Sequence, residues 1–169
     1  MAQTDEAFET ELRLLIPRLR RFGHAITGSI DEGDDLVQEA LERSLTRKAQ
    51  FRAGTRLDSW IYKIMQNCWI DRKRSAAYRH STGLPDEALA NTIGEDGRNS
   101  YVARIALRQV RIAMARLHID ERLVLAAVSI DGQSYREAAE TLGLPIGTVM
   151  SRLARARRKL LEALDGMED

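Results

Sequence analysis

A single cysteine, Cys68, in 169 residues leaves no internal disulfide to hold the fold and fits a reducing compartment. No apolar run approaches the length needed to cross a bilayer. The opening residues, MAQTDEAFETE, are acidic and polar, unlike a secretory leader. A cytoplasmic protein without membrane insertion is therefore expected. Prolines number 3, strand-like alternation is nearly absent, and helical periodicity covers most of the chain, which predicts an all-α fold. His24, His80 and His118 are isolated, with no metal-ligand spacing among them. No glycine-rich phosphate loop follows a strand, and Cys68 falls on a predicted core face, as packing rather than as a nucleophile. The expectation is a protein that is not an enzyme and needs neither metal nor cofactor.

Net charge is also scarce, at +1, so the message lies in its distribution. Acids gather at Asp5, Glu6, Glu9 and Glu11, and again from Asp31 through Asp34, Asp35 and Glu39 to Glu42. Bases gather from Lys63 to Arg79 and from Arg152 to Lys159. A chain with separate acidic and basic surfaces suits a protein partner together with nucleic acid.

The segment Ser134–Leu161 carries the sharpest local signal, a helix-turn-helix. Ser134 with Glu137 spells a capping box. Ala138 and Ala139 are small enough for a second helix to cross closely, Gly143 suits a left-handed helix end, and Pro145 suits a new helix start. At helical spacing the second helix places Ile146, Val149, Met150, Leu153, Ala156 and Leu160 on one face. Thr148, Ser151, Arg152, Arg155, Arg158 and Lys159 share the other, with no acid among them. An ordinary solvated helix mixes signs along its surface; this cationic face suits a DNA major groove instead.

Upstream, a first helix is expected from about Glu6 to Ile26, burying Phe8, Leu12, Leu15, Leu19 and Phe22, with Pro17 kinking or splitting it. Ser29 and Glu32 predict a second capping box, opening a helix to about Arg47 that buries Leu36, Val37, Ala40, Leu41 and Leu45. A basic loop, Lys48–Thr55, follows, and Thr55 is the candidate cap of a helix from Arg56 to Arg74. From Ser75 to Ser100 the pattern dissolves into a polar stretch with Pro85, longer than the usual connection within one domain, with a short helical turn expected around Glu87–Ala90. Beyond it Ala103, Leu107, Val110, Met114 and Leu117 form a helical stripe; Asp120 is the candidate cap of a helix burying Leu123, Val124 and Ala127; and Asp131-Gly132 turns the chain. The expected organisation is two small helical domains, 6–75 and 101–165, joined by a flexible linker, 76–100.

The helix from Leu57 to Arg74 holds a second chemical pattern. Leu57, Trp60, Ile61, Ile64 and Cys68 share a core face, while Tyr62, Gln66, Trp69 and Lys73 share the far side. Rings interleaved with amides and cations suit stacking on unpaired bases while cations hold phosphates; burial of Tyr62 and Trp69 against a neighbour is the competing reading. The acidic side of the preceding helix is unsuited to DNA. It fits either a protein surface bearing Arg or Lys, or plain solvent.

DDLVQEAL (Asp34–Leu41), LDSWIYKIMQNCWIDRKRS (Leu57–Ser75) and YREAAETLGLPIGTVMSRLARARRKL (Tyr135–Leu160) together resemble the bacterial sigma-70 class, in its extracytoplasmic-function group. The resemblance runs from about Phe8 to Leu164, excluding the linker. LIPRLRRFGHAITGS, FRAGTRLDSWIYKIMQN and GLPIGTVMSRLARAR are similar to the alphaproteobacterial general-stress type, although IDRKRS after Trp69 is closer to the general extracytoplasmic-function pattern.

The resemblance implies that 6–75 is sigma region 2, binding core RNA polymerase through Asp35, Leu36, Gln38 and Glu39. It implies that the loop Lys48–Thr55 and Tyr62, Lys63, Gln66, Asn67, Trp69, Ile70, Lys73 and Arg74 hold the minus-ten element of promoter DNA. It implies that 101–165 is sigma region 4, reading the minus-thirty-five element through Thr148, Ser151, Arg152 and Arg155, with Arg158 and Lys159 on phosphates. An anti-sigma factor acting in a stress response is the further implied partner. Two other functions compete. A sigma-like decoy that captures an anti-sigma factor has no reason to keep the cationic face, and such mimics carry a receiver domain. A conventional helix-turn-helix regulator explains neither DDLVQEAL nor the aromatic-basic helix.

Overall fold

The computed structural model describes residues 5–52, 54–81 and 101–166, and the side chains of residues 78–81 are not among what is described. These residues form helices α1 (Asp5–Thr27), α2 (Ile30–Thr46), α3 (Leu57–Ser81), α4 (Tyr101–Ala115), α5 (Ile119–Leu125), α6 (Tyr135–Leu142) and α7 (Ile146–Asp165), with no strand among them. A 3-10 turn, Lys48–Gln50, follows α2, and a π-helical turn, Ala126–Ile130, follows α5. The expected linker, including the turn at Glu87–Ala90, lies outside the described residues apart from the end of α3, which continues to Ser81.

The first unit is α1–α3. Phe8, Leu12, Leu19, Phe22 and Ile26 of α1 are buried against Leu36, Val37 and Ala40 of α2 and Ile61, Met65 and Cys68 of α3. Glycines let α1 and α2 approach closely: a Cβ on Gly33 would lie 2.7 Å from the His24 backbone nitrogen, and one on Gly23 would lie 2.9 Å from the Gly33 carbonyl oxygen. Pro17 neither splits nor ends α1, which runs unbroken through it. Pro17 lies on the exposed side, as does Arg13 one turn back, so the carbonyl it leaves unpaired faces solvent. Leu45, expected in the core, is exposed near the end of α2.

Ser29 caps α2, its hydroxyl accepting from the Glu32 N–H at 3.3 Å. Thr55 does not cap α3: its hydroxyl donates to the Arg52 carbonyl at 2.6 Å, and the helix begins at Leu57. In the loop before it, Phe51 packs on Phe8 and Trp60, at centroid distances of 5.7 and 5.3 Å, and anchors the segment to the first unit.

The second unit is α4–α7. The first turns of α4 stand clear of the body, leaving Tyr101, Val102, Ile105 and Leu107 exposed, so the expected stripe is buried only where Met114 and Leu117 meet the rest. His118, not Asp120, is the N-cap of α5. The helix-turn-helix forms as its local chemistry dictates. The Ser134 hydroxyl accepts from the Glu137 N–H at 3.2 Å, the Glu137 carboxylate accepts from the Ser134 N–H at 2.8 Å, and Gly143 ends α6 at φ 65°. Pro145 then sits as the N-cap of α7. Val149, Leu153 and Ala156 of α7 are buried, with Leu160 partly so; Ile146 and Met150, expected beside them, are exposed, because the core-facing stripe is narrower than the full apolar face.

The two units are docked on each other. α3 runs against α6, and α1 lies against α4, α5 and the π-helical turn. Arg122 crosses between them: its guanidinium donates to the Ile26 carbonyl at the end of α1, at 2.8 Å, and to the Ala115 and Leu117 carbonyls at 2.6 and 3.2 Å. Carbonyls at helix ends lack intrahelical partners and carry partial negative charge, so a buried arginine satisfies both needs at once.

Candidate nucleic-acid and polymerase interfaces

The outer side of α2 presents a polar stripe at helical spacing. Asp31, Asp35, Gln38 and Glu42 are exposed, and Gln38 donates to Glu42 at 3.2 Å. Glu39 is half-buried and held by Arg72 and Arg43. Burial pushes its carboxyl up, but the hydrogen bond and charge of Arg72, with the charge of Arg43, outweigh this and leave it below the ordinary range. Asp34 is engaged within the first unit, accepting from Arg20 Nε and Nη2 at 2.9 and 2.7 Å and lying 2.6 Å from His24 Nε2. Leu36 does not belong to the outer surface. It is fully buried among the first unit's apolar side chains, so it shapes α2 rather than touching a partner.

On α3 the expected stripe divides. Lys63, Asn67, Lys73 and Arg74 are exposed, and Gln66 and Ile70 are half-buried. Tyr62 and Trp69 are buried, at 0% and 2% exposure, which corrects the expectation of an open aromatic face. The causes differ. The Tyr62 ring packs on Phe22 at 4.7 Å, and its hydroxyl donates to Asp131 of the second unit at 2.6 Å. Burial, then the bond to Asp131, push that phenol well above its usual range. Trp69 lies in the core, its Nε1 without a partner among the described residues, and the Lys73 ammonium sits 4.3 Å over its ring. Burial and the neighbouring Glu39 carboxylate raise the Cys68 thiol to about 11, as suits a packed, unreactive cysteine.

α7 carries the cationic surface. Ser151, Arg155, Arg158 and Lys159 are exposed, while Thr148 and Arg152 are half-buried. Two of its cations meet acids that the helix's own sequence does not contain. Arg152 lies 3.3 Å from Asp120, and Lys159 donates to both oxygens of Glu121, at 2.8 and 2.9 Å. Burial raises the Glu121 carboxyl, and the Lys159 contact more than reverses it. α5 thus holds Arg152 and Lys159 on the flank of α7; the charge of Arg155 also acts on Glu121, and Arg158 lies 3.8 Å from Glu162 one turn on.

Between the units lies a polar network with no forerunner in the local patterns. Asp131, its carboxylate 1% exposed, accepts from Arg18 Nε and Nη2 at 3.2 and 2.9 Å, from the Tyr62 hydroxyl, and from Gln133 at 2.9 Å. Arg56 grips Asp58 with two nitrogens, at 3.1 and 2.7 Å, and also reaches Glu137 of α6. Ser59 meets Thr141 at 3.1 Å, and Lys63 reaches the Leu142 carbonyl at 3.5 Å. The Asp-Gly pair at 131–132 reads only as a turn, and nothing local ties it to Arg18, which is 113 residues away.

Comparison with known proteins gives this geometry a family. A family model described as the Sigma2 domain of PhyR matches residues 12–66, and one described as Sigma-70, region 4 matches residues 107–160. The chain is 33% identical over 168 residues to the ECF RNA polymerase sigma factor EcfG of Rhodopseudomonas palustris, covering 97% of this chain and 90% of the relative. It superposes on the sigma factor RpoE of Bartonella quintana, solved in complex with the anti-sigma factor NepR, with a TM-score of 0.75 and 30% identity over 95% of this chain and 98% of that one. The anti-anti-sigma factor PhyR of the same organism, solved with NepR, shares the fold at a TM-score of 0.60 and 17% identity, over 90% of this chain and 48% of that one. Higher identity and closer superposition both lie on the side of the sigma factors rather than the anti-anti-sigma factor. With a region 2 bundle and a region 4 helix-turn-helix along its length, the chain belongs to the extracytoplasmic-function family of RNA polymerase sigma factors, which are initiation factors and not enzymes.

Proposed function

We propose that this sigma factor divides its work among the surfaces described above, in the cytoplasm, with an anti-sigma factor as its inhibitor. The first unit, 6–75, takes core RNA polymerase on the exposed stripe of α2, with Asp35 and Gln38 in direct contact. Glu39 acts from its pairing with Arg72 and Arg43, and Leu36 supports the helix from within. The stretch between α3 and α4 serves as the tether. The minus-ten strand lies along α3, over Lys63, Gln66, Asn67, Ile70, Lys73 and Arg74, with Tyr62 joining once the second unit moves away and Trp69 forming the floor under Lys73. The second unit, 101–165, sets α7 in the major groove of the minus-thirty-five element. Ser151, Arg155 and Thr148 face the bases, Arg152 reads from the flank, and Arg158 and Lys159 hold phosphates.

The observation that carries this reading is the cationic surface of α7 from Ser151 to Lys159, presented by a correctly capped helix-turn-helix. The docked arrangement fits a regulated factor, since Tyr62 is covered in it. An inhibitor of the kind crystallised with the Bartonella RpoE then has a ready-made closed form to hold.

Run-off transcription with purified bacterial core polymerase and a promoter library tests the assignment. Promoter-specific transcripts are expected with the native chain and should fall by roughly two orders of magnitude in an Arg152→Ala/Arg155→Ala variant, as for the loss of two base-reading contacts. Transcripts that survive in the double variant move the reader off α7.

A further inference from the structure

The network between the units assigns roles to residues that the promoter surface above does not use. Arg18 on α1 reaches Asp131 beside the Tyr62 hydroxyl, and Arg56 before α3 reaches Glu137 with one nitrogen; both also pair with Asp58 of the first unit, Arg56 through its other two nitrogens. Asp131 receives a two-nitrogen guanidinium grip plus a phenol hydroxyl, a donor set that fits the oxygens of a phosphate as well as those of a carboxylate. Gly132, at φ 76°, and the π-helical turn before it deliver Asp131 into this position. Glu137 approaches Arg56 from the first turn of α6 while its other oxygen completes the capping box.

We propose that Arg18 and Arg56, with Lys63 beside them, form a binding rim for backbone phosphates of the melted promoter strand, and that Asp131 and Glu137 occupy this rim in the closed chain as internal stand-ins for those phosphates. The proposal rests on the reading that α3 holds the minus-ten strand, and it adds the phosphate contacts and a means by which the closed chain masks them. The competition is direct, because the same nitrogens cannot serve Asp131 and a phosphate together. It is also reversible. The Arg18 and Arg56 side chains are 35% and 43% exposed, so a polyanion can reach them, while the Asp131 carboxylate, 1% exposed, returns to solvent when the units part. Opening frees the Tyr62 hydroxyl in the same movement, which couples phosphate capture to exposure of the ring.

The test uses the full chain. Asp131→Asn/Glu137→Gln removes both charges while keeping an acceptor at each position, and glutamine still serves a capping box. A labelled mixed-sequence single-stranded DNA oligonucleotide, followed by fluorescence anisotropy, should bind this variant about tenfold more tightly than the native chain, the scale of one or two interactions lost from the competing closed state. Adding Arg18→Gln/Arg56→Gln should abolish the gain. A second variant needs no loss of charge. Ser59→Cys/Thr141→Cys places thiols where the hydroxyl oxygens lie 3.1 Å apart, so diamide can oxidise the pair to a disulfide and lock the units closed. The locked chain should lose DNA binding and transcription, and a reductant should restore both. Unchanged affinity in the charge-neutral variant, or a locked chain that binds as tightly as the reduced one, overturns the proposal while leaving run-off activity intact. A native chain that gives no transcripts with core polymerase overturns the promoter reading and this inference with it.

Discussion

Single side chains here answer to their surroundings more than to their type. Trp69 and Tyr62 share a helix face with Lys73, and both are buried, yet they are not equivalent. Trp69 belongs to the first unit's own core, so Trp69→Ala should destabilise the chain by about 3–5 kcal/mol, measured by urea unfolding. A loss below about 1 kcal/mol would mean that the ring is not packed as described. Loss of transcription in that variant therefore cannot be counted as loss of a base contact until folding has been checked. Tyr62 is held by a hydroxyl bond to another unit, and its exposure changes with docking. Periodicity could place both rings on one stripe but could not tell which side of α3 the core occupies, because apolar residues fall on more than one side of α3. Tyr62, Ile64, Met65, Cys68 and Trp69 are all buried in it. Leu36 illustrates the converse: a family motif includes it, and the fold shows that its part is internal.

At the scale of elements, local rules and tertiary constraints each leave a distinct mark. The capping box at Ser134 and the left-handed Gly143 are local, and both form as their residue types require. Ser134→Ala should cost about 1 kcal/mol, seen as a lower midpoint in thermal unfolding, since one hydrogen bond to the first turn of α6 is lost. An unchanged midpoint would show that the cap carries no weight in the docked chain. The crossing of α1 and α2 is tertiary. Gly33→Ala puts a methyl group 2.7 Å from the His24 backbone nitrogen, which cannot move as a side chain can, and about 1–3 kcal/mol of destabilisation is expected in denaturant titrations. A neutral outcome would show that the two helices slide apart without penalty. Helix existence and order were legible from spacing throughout. The misplaced starts at Thr55 and Asp120 arise because more than one polar residue near each helix start could serve as a cap, and the neighbouring chain decides which one turns inward.

For the whole molecule, acid should loosen the α6 cap and, with it, the Glu137–Arg56 contact between the units. Hydrogen bonds from Ser134, then Arg56, hold the Glu137 carboxyl at about 2, below its ordinary 4.5. Asp58 is raised by burial but brought below its ordinary value by Arg56 and the Ser59 N–H. A carboxylate whose value is depressed by folding contributes stability that is complete above its unfolded value and lost as pH falls through the folded one. The contribution of Glu137 is therefore whole above about pH 4.5 and disappears toward pH 2. Fluorescence energy transfer between labels on the two units should fall across that window, while far-ultraviolet dichroism reports how much helix remains. Transfer that holds steady down to pH 2 would remove Glu137 from the latch.

The chain's sequence by itself determined that the protein is helical, that its parts are a first helical unit and a helix-turn-helix, which residues cap and end the helices of that motif, and that α7 carries a cationic face. These follow from spacing, caps and charge within a few turns of chain. Only the tertiary structure decided that Asp120 and Glu121 hold the flank of α7, that Arg122 closes the end of α1, and that Asp131 gathers Arg18 and Tyr62. Each of these joins residues whose meeting depends on how whole helices pack, and no local pattern encodes a bond between groups that far apart along the chain.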